Sequence, residues 1–302
     1  MVSVKSYAKL NITLKITGKN QNYHSLDSLV TSVDKFDEIT AKKRKDDKII
    51  ITFVGRYGFT PKCQAQTNAY KSAKLFMDTF NVSGVDITIK RNIKTGGGMG
   101  GSSADIAGVL YAMKKLFKIS CDLKPLADSL GSDSGYLLSG GFARISNRGE
   151  VVKKLDIDQK YYFVVIYANG GVNTKECFDL YDQKFIGFSD ISCDEAENYL
   201  KSGDLTALSK VSGNDLYMPA IILNPEIKEN LQALKSLSPE YACMTGSGST
   251  CFAMYKEYEM ASWAHAKLKK TYGDRVEILS SFNPNKLTFF DKLFNSYPSE
   301  DN

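Results

Sequence analysis

No stretch of this 302-residue chain approaches the roughly 20 consecutive apolar residues that a membrane span requires. The opening segment MVSVKSYAKLNITLKI alternates in polarity instead of forming an apolar block, so a cytoplasmic protein without a membrane anchor is expected. Cysteines at metal-ligand spacing are lacking as well. Cys63, Cys121, Cys177, Cys193, Cys243 and Cys251 form no CxxC pair, which argues against a zinc site or a thioredoxin-like motif and for reduced thiols. Charge of one sign is scarce: 39 basic and 34 acidic residues leave a net +5, enough to assist anionic substrates without a nucleic-acid footprint. Self-similarity at a fixed period is absent, so the two halves are not expected to be duplicates.

What is present is a globular composition, 43% hydrophobic and 24% charged, at a length beyond one usual core. Two domains are expected, 1–155 and 156–302, with the turn NRGE near the end of the first. In the first half VKSYAKLNITLKI, KIIITFV and VDITIKRNI read as strands, the last with Val85, Ile87 and Ile89 on one face, and TNAYKSAKLFMDTF reads as a helix. A second helix near DLKPLADSLGSD is expected to end before Gly135, and GFARIS to form a strand. The run Lys42-Lys43-Arg44-Lys45, followed by Asp46-Asp47, reads as a solvated hairpin connection in preference to a binding patch. From KYYFVVIYA the pattern restarts as strand, long helical region and strand, then YACMTGSGSTCFAMY, a helix with Trp263 and Leu268, and RVEILSSF. An open α+β sandwich follows. Phe289, Phe290, Leu293 and Phe294 suggest a final helix that docks on the body or, less simply, binds a partner.

The segment TGGGMGGSSADIAGVL, residues 95–110, lacks the GKS or GKT ending of a Walker P-loop. It nevertheless joins an alternating strand to a helix in which Ile106, Val109, Leu110, Met113 and Phe117 recur at helical spacing. Ser102, Ser103 and Asp105 fall where caps and acids belong. Successive glycines bring backbone N–H groups close to an anion, and the helix adds the positive end of its dipole, so a phosphate cradle needs no lysine within the loop. The alternative is a flexible glycine linker, a poor fit between two periodic elements.

Three further segments join this loop in resembling one family: YAKLNITLKITGKNQNYHSLDSLVTSVDKFDEIT (7–40), LGSDSGYLLSGGFARISNRGE (130–150) and MTGSGSTCFAMY (244–255). In this order, over nearly all of 5–285, they resemble the GHMP kinase superfamily. Within it the likeness is to members that use ATP to phosphorylate the 2-hydroxyl of a cytidine-diphosphate-linked methylerythritol, a precursor of isoprenoids. The resemblance implies an α+β fold of two domains, a ribosomal S5 domain 2-like ATP-binding domain and a ferredoxin-like sandwich. It implies ATP held by Asn68, Gly96, Gly97, Gly98, Gly100, Gly101, Ser102 and Ser103, with Mg²⁺ arriving on its phosphates because no protein ligand set is evident. By the same resemblance Asp133 accepts the proton of the attacking hydroxyl, Lys9 lies beside it and stabilises charge on the reacting oxygens, and Asn11 orients the hydroxyl. Tyr23, His24, Thr174 and Phe178 would surround the cytidine, by stacking and hydrogen bonding. Partners are then ATP and a small molecule, neither nucleic acid nor membrane, in a monomer or homodimer.

The residues alone leave alternatives open. Asp133 also suits a helix cap, Lys9 an outward lysine on a strand, and His24 a buried structural role, as does His265 in a helix without a motif. Another small alcohol, mevalonate-type or sugar, would serve a GHMP kinase, though a base-stacking pocket would then be idle. A catalytically silent sensor would have no use for both Lys9 and Asp133. The chain also departs from the family pattern. Lys94-Thr95 replaces a proline, which would loosen entry to the loop. Ser102 and Ala104 shift the loop hydroxyls, and Gly135 replaces a proline after the aspartate.

Overall fold

Period-two alternation in the first half and one-sided apolar helices throughout set the architecture of the computed structural model, which describes residues 1–20, 23–187 and 189–282. In chain order the elements are β1 (Val2–Asn11), β2 (Lys15–Asn20), β3 (Tyr23–Lys43), β4 (Ile49–Val54), α1 (Asn68–Phe80), β5 (Val85–Lys90), α2 (Gly101–Phe117), α3 (Lys124–Leu130) and α4 (Ser134–Ser139). There follow β6 (Phe142–Asn147), β7 (Val151–Lys154), β8 (Tyr162–Ile166), α5 (Thr174–Lys184), α6 (Cys193–Ser202), α7 (Leu205–Val211), α8 (Tyr217–Leu223) and α9 (Glu226–Lys235). The last are β9 (Tyr241–Met244), β10 (Cys251–Tyr255), α10 (Tyr258–Tyr272) and β11 (Val276–Ser280).

The first seven strands make one sheet in the order β4-β5-β3-β6-β7, with β1 and β2 also paired to β3. The 21-residue β3 is its spine: its early part pairs with β2 and β6, its later part with β1 and β5. The expected strand over VKSYAKLNITLKI is broken in two, because Ile12 and Thr13 both donate to the Leu29 carbonyl and Leu14 then donates to Gly213 in the second half of the chain. Lys42 and Lys43 end β3, paired with β5, and the mixed-charge turn that follows from Arg44 is not a hairpin connection. β5 lies between β3 and β4, and β4 runs parallel to β5, with α1 supplying the crossover. Arg44 spans the turn to Asp46 and to Asp86 on β5, both at 2.6 Å.

The second sheet has the order β11-β8-β10-β9, the ferredoxin-like arrangement, antiparallel throughout. The sheets share a core: Leu10 and Leu29 from the first, with Ile12 just after β1, are buried with Phe163, Tyr241 and Phe252 from the second. The Tyr241 hydroxyl donates to the Ile12 carbonyl at 2.5 Å. α2 lies against the first sheet through Ile106, Val109, Leu110 and Met113. The second helix, α3, ends at Leu130, ahead of Gly135 as expected; Gly135 itself falls inside the short α4, where a Cβ would stand 2.0 Å from Asp128 Oδ1, so a proline there would require Asp128 to move. All six cysteines are free. No helix among the described residues is long and apolar enough to cross a membrane. The apolar cluster Phe289, Phe290, Leu293 and Phe294 lies outside the described residues.

Candidate active site

Lys9 owes its inward position to an irregularity in β1. The register against β3 slips between Tyr7 and Lys9, and the Lys9 N–H donates sideways to the Met99 carbonyl at 3.0 Å. The side chain is 4% exposed, and its Nζ lies 3.1 Å from Asp133 Oδ2 and donates to Asn11 Oδ1. An outward surface lysine is thus excluded. Asp133 stands at the cap position of α4, yet its side chain caps nothing; it turns to Lys9 and remains 25% exposed, open on one side. Asn11 is fixed through Nδ2 to Ser28 Oγ at 2.8 Å. A buried ammonium, an accessible carboxylate and an oriented amide therefore meet at one point.

Above them the glycine loop is stitched down by its carbonyls. Gly96 O accepts from Val172 N at 3.3 Å, Gly97 O from Thr250 N at 3.2 Å, Gly98 O from Thr245 Oγ1 at 3.2 Å and Gly100 O from Ala104 N at 2.8 Å. At Gly98, φ is +75° and a Cβ would lie 2.1 Å from the Thr245 carbonyl, so only glycine fits. With the carbonyls turned to protein, no N–H from Gly96 to Ser103 has an acceptor among the described residues, and a row of donors stands at the N-terminus of α2. Neither Ser102 nor Ser103 caps that helix; Gly100 occupies the cap position without a side-chain bond. Ser102 is exposed, Ser103 half-buried, and Asn68 Nδ2 donates to the Ser102 carbonyl at 3.4 Å. Asp105 is not an exposed first-turn acid either. It is buried against Arg91, and burial pushes its carboxyl up to about 7.

The loop entry is not loose despite the missing proline. Lys94 Nζ donates to the Ala168 carbonyl at the end of β8, and Thr95 Oγ1 accepts from Arg91 Nη1 at 2.9 Å. The lysine next to the loop is thus engaged with backbone, and burial pushes its pKa down.

The other end of the cleft is organised by α5. Asn173 caps it, accepting from Lys175 N and Glu176 N, while Cys177 and Tyr181 face the core. Thr174, Phe178 and Asp182, at i, i+4 and i+8, therefore share another face, in a row about 12 Å long. Thr174 Oγ1 lies 2.9 Å from Ser247 Oγ, and two residues earlier Thr245 Oγ1 accepts from Asn11 N at 2.9 Å, linking this row to the Lys9 cluster. At the far end His24 stacks on Phe178, ring centroids 4.5 Å apart, with Nε2 2.6 Å from Asp182 Oδ1; Lys19 Nζ reaches the other Asp182 oxygen at 2.5 Å. Tyr23 is not brought to this group. Adjacent strand residues face opposite sides, and its ring, 54% exposed, packs under the Arg148 guanidinium at 3.7 Å.

Sequence reasoning missed Asp182, although continuing the Thr174–Phe178 spacing by one more turn reaches it. The pattern TGSGST does not by itself mark Thr245 or Ser247, and Arg91 and Asp37 carry no local signal.

Comparison with known proteins identifies the family and the fold. Residues 67–142 match the GHMP kinases N terminal domain and residues 196–274 the GHMP kinases C terminal domain, which defines the class as a GHMP kinase. Among curated proteins, the 4-diphosphocytidyl-2-C-methyl-D-erythritol kinase of Clostridium perfringens strain 13 is 33% identical over 95% of this chain and 100% of its own length. That of Clostridium beijerinckii is 32% identical over 90% of this chain and 98% of its own. The chain belongs to this kinase family. In fold it is similar to a crystal structure of 4-(cytidine 5'-diphospho)-2C-methyl-D-erythritol kinase, with a TM-score of 0.76 at 24% identity over 93% of this chain and 100% of that one. A homoserine kinase from Cytophaga hutchinsonii has a TM-score of 0.71 at 18% identity, over 93% and 94% of the two chains.

Proposed function

We propose that this chain transfers the terminal phosphoryl group of ATP to the 2-hydroxyl of 4-diphosphocytidyl-2-C-methyl-D-erythritol, in the non-mevalonate route to isoprenoid precursors and in the cytoplasm. The observation that carries the reading is the single α5 face, Thr174, Phe178 and Asp182, leading from the Lys9, Asn11 and Asp133 cluster to His24. A substrate with a reactive alcohol at one end and a nucleoside at the other matches a cleft with a carboxylate at one end and stacked rings at the other.

In this reading Asn11 and Lys9 orient the alcohol, and the Asp133 carboxylate takes its proton as the oxygen attacks the terminal phosphorus. The bond to the leaving oxygen breaks and ADP departs. Such a transfer asks the protein for alignment and charge stabilisation more than for covalent chemistry, and Lys9 with the loop N–H groups supplies both. Mg²⁺ bound to the nucleotide neutralises phosphate charge. In this reading the ion is carried by the nucleotide's phosphates and water, and the Ser102 and Ser103 hydroxyls of the loop would be the protein oxygens available to it. Residues 1–155 serve as the ATP-binding domain and also lend Asn11 and His24 to the substrate, and 156–302 serve as the substrate-binding domain. The cytosine is held at the His24 and Phe178 rings.

ADP release with Mg-ATP, comparing the cytidylated substrate with methylerythritol phosphate and with mevalonate, tests the proposal. Turnover of the cytidylated compound alone is expected; preference for either of the others, or turnover of none, overturns it.

A further inference from the structure

A buried charged group lies under the glycine loop and takes no part in the transfer described above. Arg91, 4% exposed, precedes the loop; Asp105, 2% exposed, follows it on α2; Asp37, fully buried on β3, lies beside both. Arg91 donates through Nη2 to Asp105 and through Nη1 to Thr95 Oγ1 at 2.9 Å. Asp37 Oδ1 accepts the N–H groups of Asn92 at 2.6 Å and Ile93 at 2.8 Å. The guanidinium lies over the rings of Phe53 and Phe59, 4.8 and 5.2 Å from their centroids, which holds its plane.

As a stabilising device this arrangement is poor. Two carboxylates and one guanidinium are withdrawn from water, and Asp37 Oδ2, Arg91 Nε and Asp105 Oδ1 find no partner among the described residues. Apolar side chains of similar size commonly serve stability as well or better. What apolar residues cannot do is grip backbone and hydroxyl groups on both sides of a flexible segment. Gly96, Gly98 and Gly100 all have positive φ, and a glycine-rich segment has many other conformations open to it. Fixing residues 92, 93 and 95 at one end and α2 at the other restricts those conformations to the few in which the N–H row converges.

We infer that Arg91 is a positioning residue, a clasp that joins Thr95 before the loop to Asp105 after it and so pre-organises the loop for the phosphates of the nucleotide. The inference rests on the ATP reading of the loop and adds to it which residues hold the loop ready. The affinity lost when the clasp is opened should therefore reside in the phosphates, not in the nucleoside.

The experiment is calorimetric binding of adenosine, ADP and ATP to the full chain, wild type and variants. In Arg91→Met/Asp105→Leu, which replaces the pair by apolar groups, adenosine should bind within about twofold of wild type while ATP weakens about tenfold. Thr95→Val should lose about threefold for ATP, less for ADP and none for adenosine. Asp105→Asn, which keeps an acceptor for Arg91, should retain most of the affinity. KM for ATP should rise in the same order, with KM for the cytidylated substrate unchanged. Equal losses for all three ligands, or no loss in a folded double variant, would overturn the clasp; should the double variant not fold, Thr95→Val decides by the same criterion. A wild-type chain that binds no ATP would overturn the nucleotide reading and the clasp with it, whereas binding without transfer to the cytidylated alcohol leaves the clasp standing and removes only the substrate assignment.

Discussion

Lys9, 4% exposed and bonded to both Asp133 and Asn11, and His24, stacked on Phe178 and paired with Asp182, stand at the two ends of the candidate site. At the Lys9 end every group is already oriented by protein, and only the Asp133 carboxylate opens outward. At the His24 end the recognition groups are occupied with one another: His24 on Phe178, and both Lys19 and His24 on Asp182. Catalysis rewards geometry that needs no reorganisation at the moment of reaction. Recognition can tolerate self-contacts that a ligand replaces, at some expense in affinity, because the open side chains stay folded away from water. The two ends should therefore respond to substitution in different kinetic constants, kcat at one and KM at the other.

The largest effect belongs to the reactive end. Asp133→Asn keeps the shape and a hydrogen-bonding oxygen but cannot take the proton, and kcat should fall by about 10²–10⁴ with KM for both substrates nearly unchanged. Calorimetry should find ATP still bound. Persistent turnover would remove Asp133 from the role of base and would leave the comparison without its catalytic end.

At the recognition end, Phe178→Ala removes the ring on which His24 lies. If that surface holds a base, KM for the cytidylated substrate should rise about 10- to 100-fold, in line with 1–3 kcal/mol per stacked base, while kcat changes less than about threefold. A fall in kcat with KM unmoved would mean that Phe178 supports the reactive end, and the division between the ends would collapse.

That division was only partly legible in the sequence. Strands such as β5 and helices such as α1 and α2 follow from periodicity, and the glycine loop was placed correctly between a strand and a helix because both neighbours carry strong local patterns. The long β3 and the position of β4 were not, since which strand pairs with which is settled by contacts far apart in the chain. The same limit applies to the site. Alternation alone puts Lys9 on a surface; only the bulge before it and the Met99 carbonyl turn it inward. Tyr23 and His24 are neighbours in sequence and read as a pair, but a strand separates adjacent side chains to opposite faces, so the pairing that forms is His24 with Phe178, 154 residues away. Asp105 shows the converse error: a position typical of a capping acid proved to be a buried partner of Arg91, because the helix start is capped by backbone geometry at Gly100.

The smallest effect expected is at Asp182, and it sharpens the contrast by asking how much the self-contacts of the recognition end contribute to the resting fold. Burial alone would raise its carboxyl, but hydrogen bonds from Lys19 and His24 outweigh burial and hold the pKa below its ordinary 3.8. A carboxylate whose pKa is depressed by folding contributes stability that is complete above that ordinary value and drains away as pH falls through the lower folded one. Thermal melting of the wild type should therefore drop more steeply below pH 3.8 than that of Asp182→Asn, by about 1–2 °C given the modest worth of partly exposed ion pairs. At neutral pH the same variant frees His24 and Lys19, and KM for the cytidylated substrate should shift by no more than about threefold. Parallel melting curves would mean that the Lys19–Asp182–His24 contacts add nothing to the resting state. The recognition end would then be open in solution, and its difference from the Lys9 end would be one of mobility instead of occupancy.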